Sequence, residues 1–190
     1  MNNAKVRRWL AHDPWPHLPS PFGLTATGLQ DFCGAPLSNL RRIEDITVRN
    51  ADFSAANMQN VRFTRCCFEN CIFKRADMRH VVIDSSEFRN CRFQKTDFRR
   101  SQIGIAGTDF DQCIFEGAQM REAGFHNAVF QNMIFNGRDW KGIDFGPAGF
   151  WDCIFNGKRD GTVLSRRLSI SDFARIKWST TKIRTSQRKL

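Results

Sequence analysis

Tyrosine is absent from this chain of 190 residues, although the chain contains 18 Phe and five Trp. A buried tyrosine needs a hydrogen-bond partner for its hydroxyl, whereas a buried phenylalanine needs none. Long apolar runs are absent too, since no stretch reaches the ~18 residues of a membrane-spanning helix. We therefore expect no transmembrane segment, no secretory signal, and an interior filled with phenylalanine rings.

Cysteine pairs of the CxxC type are also missing, and the seven Cys make an odd number. Both facts argue against a disulfide framework and against a zinc ribbon. We expect reduced cysteines that pack as small apolar side chains, with no metal and no cofactor. Reduced thiols predict an intracellular, reducing compartment, of which the cytoplasm fits best while an organelle stays open.

Signatures of catalysis are missing as well, because the chain has no phosphate loop, no HExxH and no nucleophile elbow. Its four His are scattered along the sequence: His12, His17, His80 and His126. Catalysis needs groups that converge in a pocket. We expect no enzymatic activity and no small-molecule substrate.

A period of five runs through the middle of the chain. Large apolar residues recur from Phe53 to Ile103 and, after a two-residue slip at 104–107, from Phe110 to Phe155. These 21 positions are all large and apolar and hold 15 of the 18 Phe, and a small residue usually stands two positions earlier. Neither a helix nor a flat strand repeats at five. The chain must therefore turn a corner in each repeat and send one large and one small side chain inward.

The repeat has a recognisable signature in Ala51-Asp52-Phe53, Ala56-Asn57-Met58, Ala76-Asp77-Met78 and Thr96-Asp97-Phe98. These segments resemble the A-(D/N)-(L/F) motif of the pentapeptide-repeat family, over about residues 41–157. The resemblance implies an all-β fold, a right-handed quadrilateral β-helix with four pentapeptides per coil and about five to six coils. We expect an irregular capping or wrapping segment at 1–40, the β-helix at 41–157, and a basic cap and tail at 158–190.

A second, longer period recurs at every fourth pentapeptide and independently supports four pentapeptides per coil. Similar segments begin at Asn70, Asn90, Gln112, Asn132 and Asp152, and the interval between Asn90 and Gln112, which is longer than the others, contains the slip. We predict a two-residue bulge at one corner there, since glycine tolerates a positive φ. Coils that stack at the ~4.8 Å strand spacing align equivalent residues in columns along the axis.

Two of these columns are predicted to be structural. One points inward, where a thiol fits a small slot beside the phenylalanine rings. The other lies at a corner, where amides bond along the axis or to the turn. The cysteine column is Cys71, Cys91, Cys113, Met133 and Cys153, and the asparagine column is Asn70, Asn90, Gln112, Asn132 and Asp152.

Two further columns point outward and are candidate partner-binding surfaces. The isoleucine column is Ile72, Arg92, Ile114, Ile134 and Ile154, with Trp151 nearby. It needs a cover, which the chain ends, a second copy in a homodimer or another protein would supply. The arginine column is Arg79, Arg99, Arg121 and Lys141. It is either a solvated face paired with neighbouring Asp residues or a contact for phosphates or acidic protein.

The two ends of the chain differ from the repeat. Leu24, Leu29 and Phe32 are candidates to cap the open edge of the first coil. A short helix is predicted over residues 171–178, with Ser171 as its N-cap. Residues 51–155 hold 13 basic and 13 acidic residues, whereas residues 156–190 hold ten basic and two acidic. Arg184, Arg188 and Lys189 belong to this basic tail, a common sign of contact with nucleic acid, acidic protein or membrane.

Three functions remain open. The first is a scaffold subunit that binds other proteins within a larger assembly, of which a nucleoprotein assembly is one option. The second comes from the resemblance, because some pentapeptide-repeat proteins mimic duplex DNA, bind DNA gyrase or topoisomerase IV, and protect against quinolones or toxins. Mimicry needs an acidic surface, which this neutral solenoid lacks. The third is sequence-independent binding of nucleic acid through the basic tail, with steep salt dependence.

Overall fold

The computed structural model describes residues 20–136, 143, 145, 148–151, 153–156 and 161–164. Within them the chain winds as a β-helix with four sides, as predicted. Side 1 is a six-stranded parallel sheet, and side 4 is a five-stranded parallel sheet. Side 1 contains β3 (Thr47–Arg49), β6 (Cys67–Glu69), β8 (Ser86–Arg89), β10 (Thr108–Asp111), β12 (Ala128–Gln131) and β14 (Gly149–Trp151). Side 4 contains β2 (Arg42–Glu44), β5 (Arg62–Thr64), β7 (Val82–Asp84), β9 (Gln102–Ile103) and β11 (Gly124–Phe125).

The other two sides have shorter pairings. Side 2 contains β1 (Gln30–Asp31), β4 (Ala51–Asp52), β13 (Ile134–Asn136) and β15 (Cys153–Asn156), with single bridges through Ile72, Arg92 and Ile114 between them. Side 3 is a run of single bridges through Asn57, Asp77, Asp97 and Gln119. A short 3₁₀ helix at Ser38–Leu40 precedes β2. Each side therefore repeats one pentapeptide per coil.

The interior is a set of phenylalanine stacks. On sides 1 and 2, rings of successive coils stack nearly parallel, with centroids 4.7 to 5.4 Å apart and interplanar angles of 8° to 17°. Rings on neighbouring sides meet edge to face, as Phe68 does with Phe73 at 5.5 Å. Both arrangements suit the charge distribution of an aromatic ring. The coil spacing thus equals the stacking distance, which explains why phenylalanine fills the repeat.

The corners require left-handed backbone. The corner residues other than glycine have φ between 48° and 61°, among them Asn70, Arg75, His80 and Lys95. Asn is tolerated in this region, whereas other L-residues cost about 1–2 kcal/mol there. The parallel ladders that flank each corner hold this geometry.

The slip forms a bulged corner, as predicted. Phe68 pairs with Phe88, and Phe110 pairs with Phe130, so each of these pairs joins equivalent positions of regular coils. Phe88 pairs with Phe110 across the one coil that contains two extra residues. These extra residues form a turn between β9 and β10 that Gly107 closes by donating its amide to the Gly104 carbonyl at 3.1 Å. Gly104 has φ 83°, and a Cβ there would lie 2.3 Å from the carbonyl oxygen of His126.

The ends of the β-helix extend past the repeat pattern. β1 pairs in parallel with β4, and Phe32 is fully buried and stacks on Phe53 at 4.8 Å. This corrects the expectation that the whole segment before residue 41 is irregular, because its backbone continues the side 2 ladder. Of the candidate caps, Phe32 fills the first coil, while Leu24 is 65% exposed and does not.

At the other end, β16 (Gly161–Leu164) pairs antiparallel with β15. A reversed strand ends the stacking of parallel coils and covers an edge that would otherwise present unpaired backbone groups. The helix predicted over residues 171–178 lies outside the described residues.

Candidate binding surfaces on the solenoid

The isoleucine column lies on the outer face of side 2. Its backbone pairs in two segments: Ile72 bridges Arg92 and Arg92 bridges Ile114, and further along the axis Ile134 pairs with Ile154. Ile114 is 42% exposed and Ile134 is 57% exposed, whereas Ile72 is half-buried. Arg92 separates Ile72 from the other members, so the exposed apolar surface begins at Ile114.

At the C-terminal end of this column the structure describes the backbone of Trp151 and Ile154 but not their side chains. Trp151 ends β14 on side 1, and Ile154 lies in β15 beside Ile134. The side chains of both residues lie outside the described part of the chain. Their contribution to a binding surface stays a prediction.

The arginine column lies on side 3 and is partly neutralised by its neighbours. Arg79 Nη2 lies 2.7 Å from Asp77 Oδ2, and Arg99 Nη2 lies 2.6 Å from Asp97 Oδ2. Asp97 also faces the Arg79 Nε of the preceding coil at 3.7 Å. For these two arginines the structure shows the pairing with Asp that the repeat predicts.

The next coil departs from that pairing. Gln119 occupies the position that Asp77 and Asp97 hold in the preceding coils. Arg121 Nε instead lies 3.1 Å from Glu122 Oε1, and the Arg121 side chain is 83% exposed. Lys141, the fourth member of the column, lies outside the described residues. The column is therefore least neutralised at Arg121.

Three corner residues beside this column, His80, Arg100 and Glu122, were not among the candidates predicted from the sequence. Each directly follows a member of the arginine column in the sequence, and this adjacency could have identified them. Arg100 Nε lies 2.9 Å from Glu122 Oε2. Two adjacent columns thereby bound a concavity of about 180 Å³, which we call the cationic groove; it is lined by Arg79, His80, Arg99, Arg100, Arg121 and Glu122.

Two carboxylates beside the groove, Glu122 and Asp77, are held in their charged form. Hydrogen bonding to Arg100, followed by the charges of Arg100 and Arg121, lowers the pKa of Glu122. Burial alone would raise the pKa of Asp77, but hydrogen bonds from Arg79 and Gln59 outweigh it and lower that pKa. The arginine of each ion pair is exposed to solvent, so each pair contributes little to stability.

The cysteine column points inward as predicted. Cys91 Sγ lies 3.4 Å from the carbonyl oxygen of Phe68, and Cys113 Sγ lies 3.3 Å from that of Phe88. Burial raises the pKa of the Cys71 and Cys91 thiols. A raised pKa keeps a thiol protonated and unreactive. In the part of the chain that the structure describes, no group of three or more His, Cys, Asp or Glu side chains could hold a metal ion.

The asparagine column forms a ladder of side-chain amides along one corner. Asn70 Nδ2 donates to Asn50 Oδ1 at 3.2 Å, and Asn90 Nδ2 donates to Asn70 Oδ1 at 2.8 Å. Further along, Asn132 Nδ2 donates to Asp111 Oδ1 at 2.8 Å. The column therefore ties successive corners together, in the structural role that its sequence spacing predicts.

The two described histidines do not lie in a common site. His80 lies at the corner before β7, and His126 follows β11, two coils further along. Arg184, Arg188 and Lys189 lie outside the described residues. The described residues include no helix with the length and apolar character needed to cross a membrane.

Comparison with known proteins identifies the repeat. The family model for pentapeptide repeats matches in eight copies, over residues 46–70, 68–100 and 105–137. No curated protein sequence matches the chain.

Solved structures give distant likenesses. A trypsin-treated form of QnrB1, a plasmid-mediated fluoroquinolone resistance protein, is 20% identical, with a TM-score of 0.37, over 66% of this chain and 80% of that one. Rfr23, a pentapeptide repeat protein from the cyanobacterium Cyanothece 51142, is 13% identical, with a TM-score of 0.39, over 67% and 86%. At such values these likenesses say nothing about what this chain binds.

The assignment therefore rests on the repeat itself, in which the matched residues and the strand register agree. Residues 46–100 and 105–137 match the family's repeats, and the same residues form stacked four-sided coils. Residues 46–100 and 105–137 are thus pentapeptide repeats, and they form the central coils of the solenoid.

Proposed function

We propose that this chain is a non-enzymatic scaffold that binds another protein through side 2. The observation that carries the proposal is the pair Ile114 and Ile134, which are exposed at equivalent positions of successive coils on side 2. Among the other large apolar side chains whose burial is described, only Leu24, before the repeat, and Ile105, in the bulged corner, are comparably exposed. Exposed apolar surface on a rigid, flat ladder marks a site of protein contact.

The size of the apolar surface indicates how it would act. A standard interface buries about 800 Å² on each partner, far more than two partly exposed isoleucines supply. The pair would therefore be the central anchor of an interface whose rim is polar. Arg92 and Glu116 flank Ile114 on side 2 and offer that rim charges of both signs.

The limit on apolar area applies equally to a second copy of the chain, so area alone does not choose the occupant. We propose a different protein, with an apolar ridge or strand that lies along the column. A homodimer is an outcome that the experiment below can return.

Charge favours a scaffold over a mimic of duplex DNA. Mimicry needs an excess of carboxylates, because phosphates are what a DNA-binding groove reads. Residues 51–155 balance 13 acidic against 13 basic residues, and side 3 carries the cationic groove. A protein bound to side 2 requires no such excess.

Nucleic-acid binding is a second candidate, and the charge of the tail supports it. Residues 156–190 hold ten basic and two acidic residues. Binding of this kind would be weak, sequence-independent and strongly reduced by salt. It would need the tail and not side 2, so the two candidates can be separated.

The test is affinity purification of the tagged full chain from its native host, with and without nuclease. The test variant is Ile114→Thr/Ile134→Thr, which keeps β-branched side chains on the ladder but removes apolar surface. The matched control is Ile105→Thr, at an isoleucine that is 51% exposed in the bulged corner and outside the column. A tail variant replaces Arg184, Arg188 and Lys189 with Gln.

The scaffold proposal expects a stoichiometric protein partner that survives nuclease, is lost with the double variant and is kept with Ile105→Thr. Retention of every partner by the double variant would contradict it. Loss of all partners on nuclease treatment or in the tail variant would favour nucleic-acid binding. Topoisomerase subunits in the eluate would restore the DNA-mimic alternative, and a single species at twice the monomer mass would indicate a homodimer.

A further inference from the structure

The cationic groove has a chemistry that the scaffold role does not use. Its two columns lie in register, because the His80 amide donates to the Arg99 carbonyl at 3.2 Å and the Arg100 amide donates to the Arg121 carbonyl at 3.1 Å. Three coils therefore present guanidinium groups at about the strand spacing of 4.8 Å. This arrangement is held by the backbone and does not depend on a flexible loop.

Charge in the groove is unbalanced. The ion pairs around it join four arginines, Arg79, Arg99, Arg100 and Arg121, to three carboxylates, Asp77, Asp97 and Glu122. One positive charge is left over, and it concentrates at Arg121, where Gln119 replaces the aspartate of the preceding coils. The groove thus has an excess of cation at one identifiable point.

Hydrogen-bond donors remain available as well. Arg79 uses Nε and Nη2 on Asp77, and Arg99 uses Nε and Nη2 on Asp97. A guanidinium carries five N–H donors, so one such pairing leaves each group with donors for a second acceptor. A ligand with several acceptor oxygens could bridge adjacent coils without breaking the existing pairs.

The size of the concavity limits the ligand. Pockets for drug-sized molecules are about 300–1,000 Å³, whereas this groove is about 180 Å³. We infer that the cationic groove binds a small multivalent phosphate, of the size of inorganic phosphate or pyrophosphate. Guanidinium groups suit this ligand because they form paired hydrogen bonds with phosphate oxygens.

Glu122 repels a bound anion, so its removal should increase the affinity for phosphate, whereas removal of an arginine should decrease it. Its carboxylate occupies both Arg100 and Arg121 and repels phosphate. Removing the charge with Glu122→Gln frees both guanidiniums, so this variant should bind phosphate more tightly. Removing Arg121 should have the opposite effect.

The experiment is calorimetric titration of the full chain with inorganic pyrophosphate and, separately, with inorganic phosphate, both at low salt. We expect saturable binding that is tighter for pyrophosphate. Arg121→Gln should weaken it about tenfold, the loss of a charge-assisted contact. Glu122→Gln should strengthen it about threefold, the removal of one partly screened like charge. The matched control is Arg62→Gln, at an exposed arginine on side 4, which should leave binding unchanged.

The basic tail is the competing source of phosphate affinity. The variant that replaces Arg184, Arg188 and Lys189 with Gln should retain pyrophosphate binding if the groove is the site. Loss of binding in the tail variant, equal weakening by Arg62→Gln and Arg121→Gln, or no saturation by pyrophosphate would each overturn the inference. Failure here would leave the protein-binding proposal untouched, since that proposal rests on side 2.

Discussion

The bulged corner allows a sharp test of whether one glycine permits the longer coil. Gly104 has φ 83°, and an added Cβ would lie 2.3 Å from His126 O and 3.0 Å from Ala128 N. Both obstacles are backbone atoms in the next coil, so they cannot move without disturbing the ladder. Gly107 lies in the same turn with φ 103°, yet an added Cβ there would meet nothing within 4 Å.

Backbone strain and overpacking together set the expected loss of unfolding free energy. An alanine in left-handed backbone costs about 1–2 kcal/mol at either position. Overpacking against fixed neighbours adds about 1–3 kcal/mol at Gly104 alone. Gly104→Ala should therefore lower the free energy of unfolding by about 2–5 kcal/mol, and Gly107→Ala by about 1–2 kcal/mol.

The assay is urea unfolding followed by circular dichroism, with midpoints and slopes compared between the two variants. Gly28→Ala is a second control, since its φ of 79° is close to that of Gly104 and an added Cβ there also meets nothing. Equal losses in all three variants would refute the argument, because only Gly104 faces a backbone obstacle. A changed slope in Gly104→Ala would mean that the coils beyond the bulge unfold separately.

The remaining predictions concern buried polar groups and thiols. Ser101 Oγ is buried without a hydrogen-bond partner among the described residues, so Ser101→Ala should raise the unfolding free energy by about 1 kcal/mol. Thr96→Val should lower the unfolding free energy by a similar amount, since Thr96 Oγ1 donates a hydrogen bond to the Phe73 carbonyl at 2.6 Å. A lower urea midpoint for Ser101→Ala than for Thr96→Val would contradict both expectations. Native protein should react with a thiol reagent only at the half-exposed Cys33 and Cys67, and slowly at Cys33, because burial and a bond to a neighbouring carboxylate raise its pKa to about 12. Burial raises the pKa of Cys66 from 9.0 to about 11, so its contribution to stability should be complete below pH 9 and fall by about 3 kcal/mol as the pH rises to 11. Cys66→Ala should flatten that decline, and an unchanged alkaline profile would show that this thiol is not responsible.

The candidate site was only partly predictable. The isoleucine and arginine columns follow from the recurrence at every fourth pentapeptide, because a known register places equivalent residues above one another. The groove did not follow, since His80, Arg100 and Glu122 occupy corners whose side-chain directions depend on left-handed backbone. The charge balance was equally hidden, because Asp97 pairs with arginines of two coils.

The ends of the solenoid show the same limit. Phe32 stands outside the five-residue phase, yet it stacks on Phe53 as the first ring of the column. β16 has no repeat signature and reverses direction against β15. Both elements gain stability by pairing with the open edges of the outermost coils. The five-residue period of the sequence does not indicate where the stacking of coils ends.

By itself the sequence determined the repeat: the step of five, four sides to a coil, the inward phenylalanines and cysteines, and the bulge at 104–107. These features are local and periodic, so each copy reports the same geometry again. Only the tertiary structure decided which outward charges neutralise one another, how the corner residues join the arginine column into a groove, and how the two ends are closed. Those properties depend on distances between residues a whole coil apart in the sequence and on side-chain directions, which arise only when the coils are stacked.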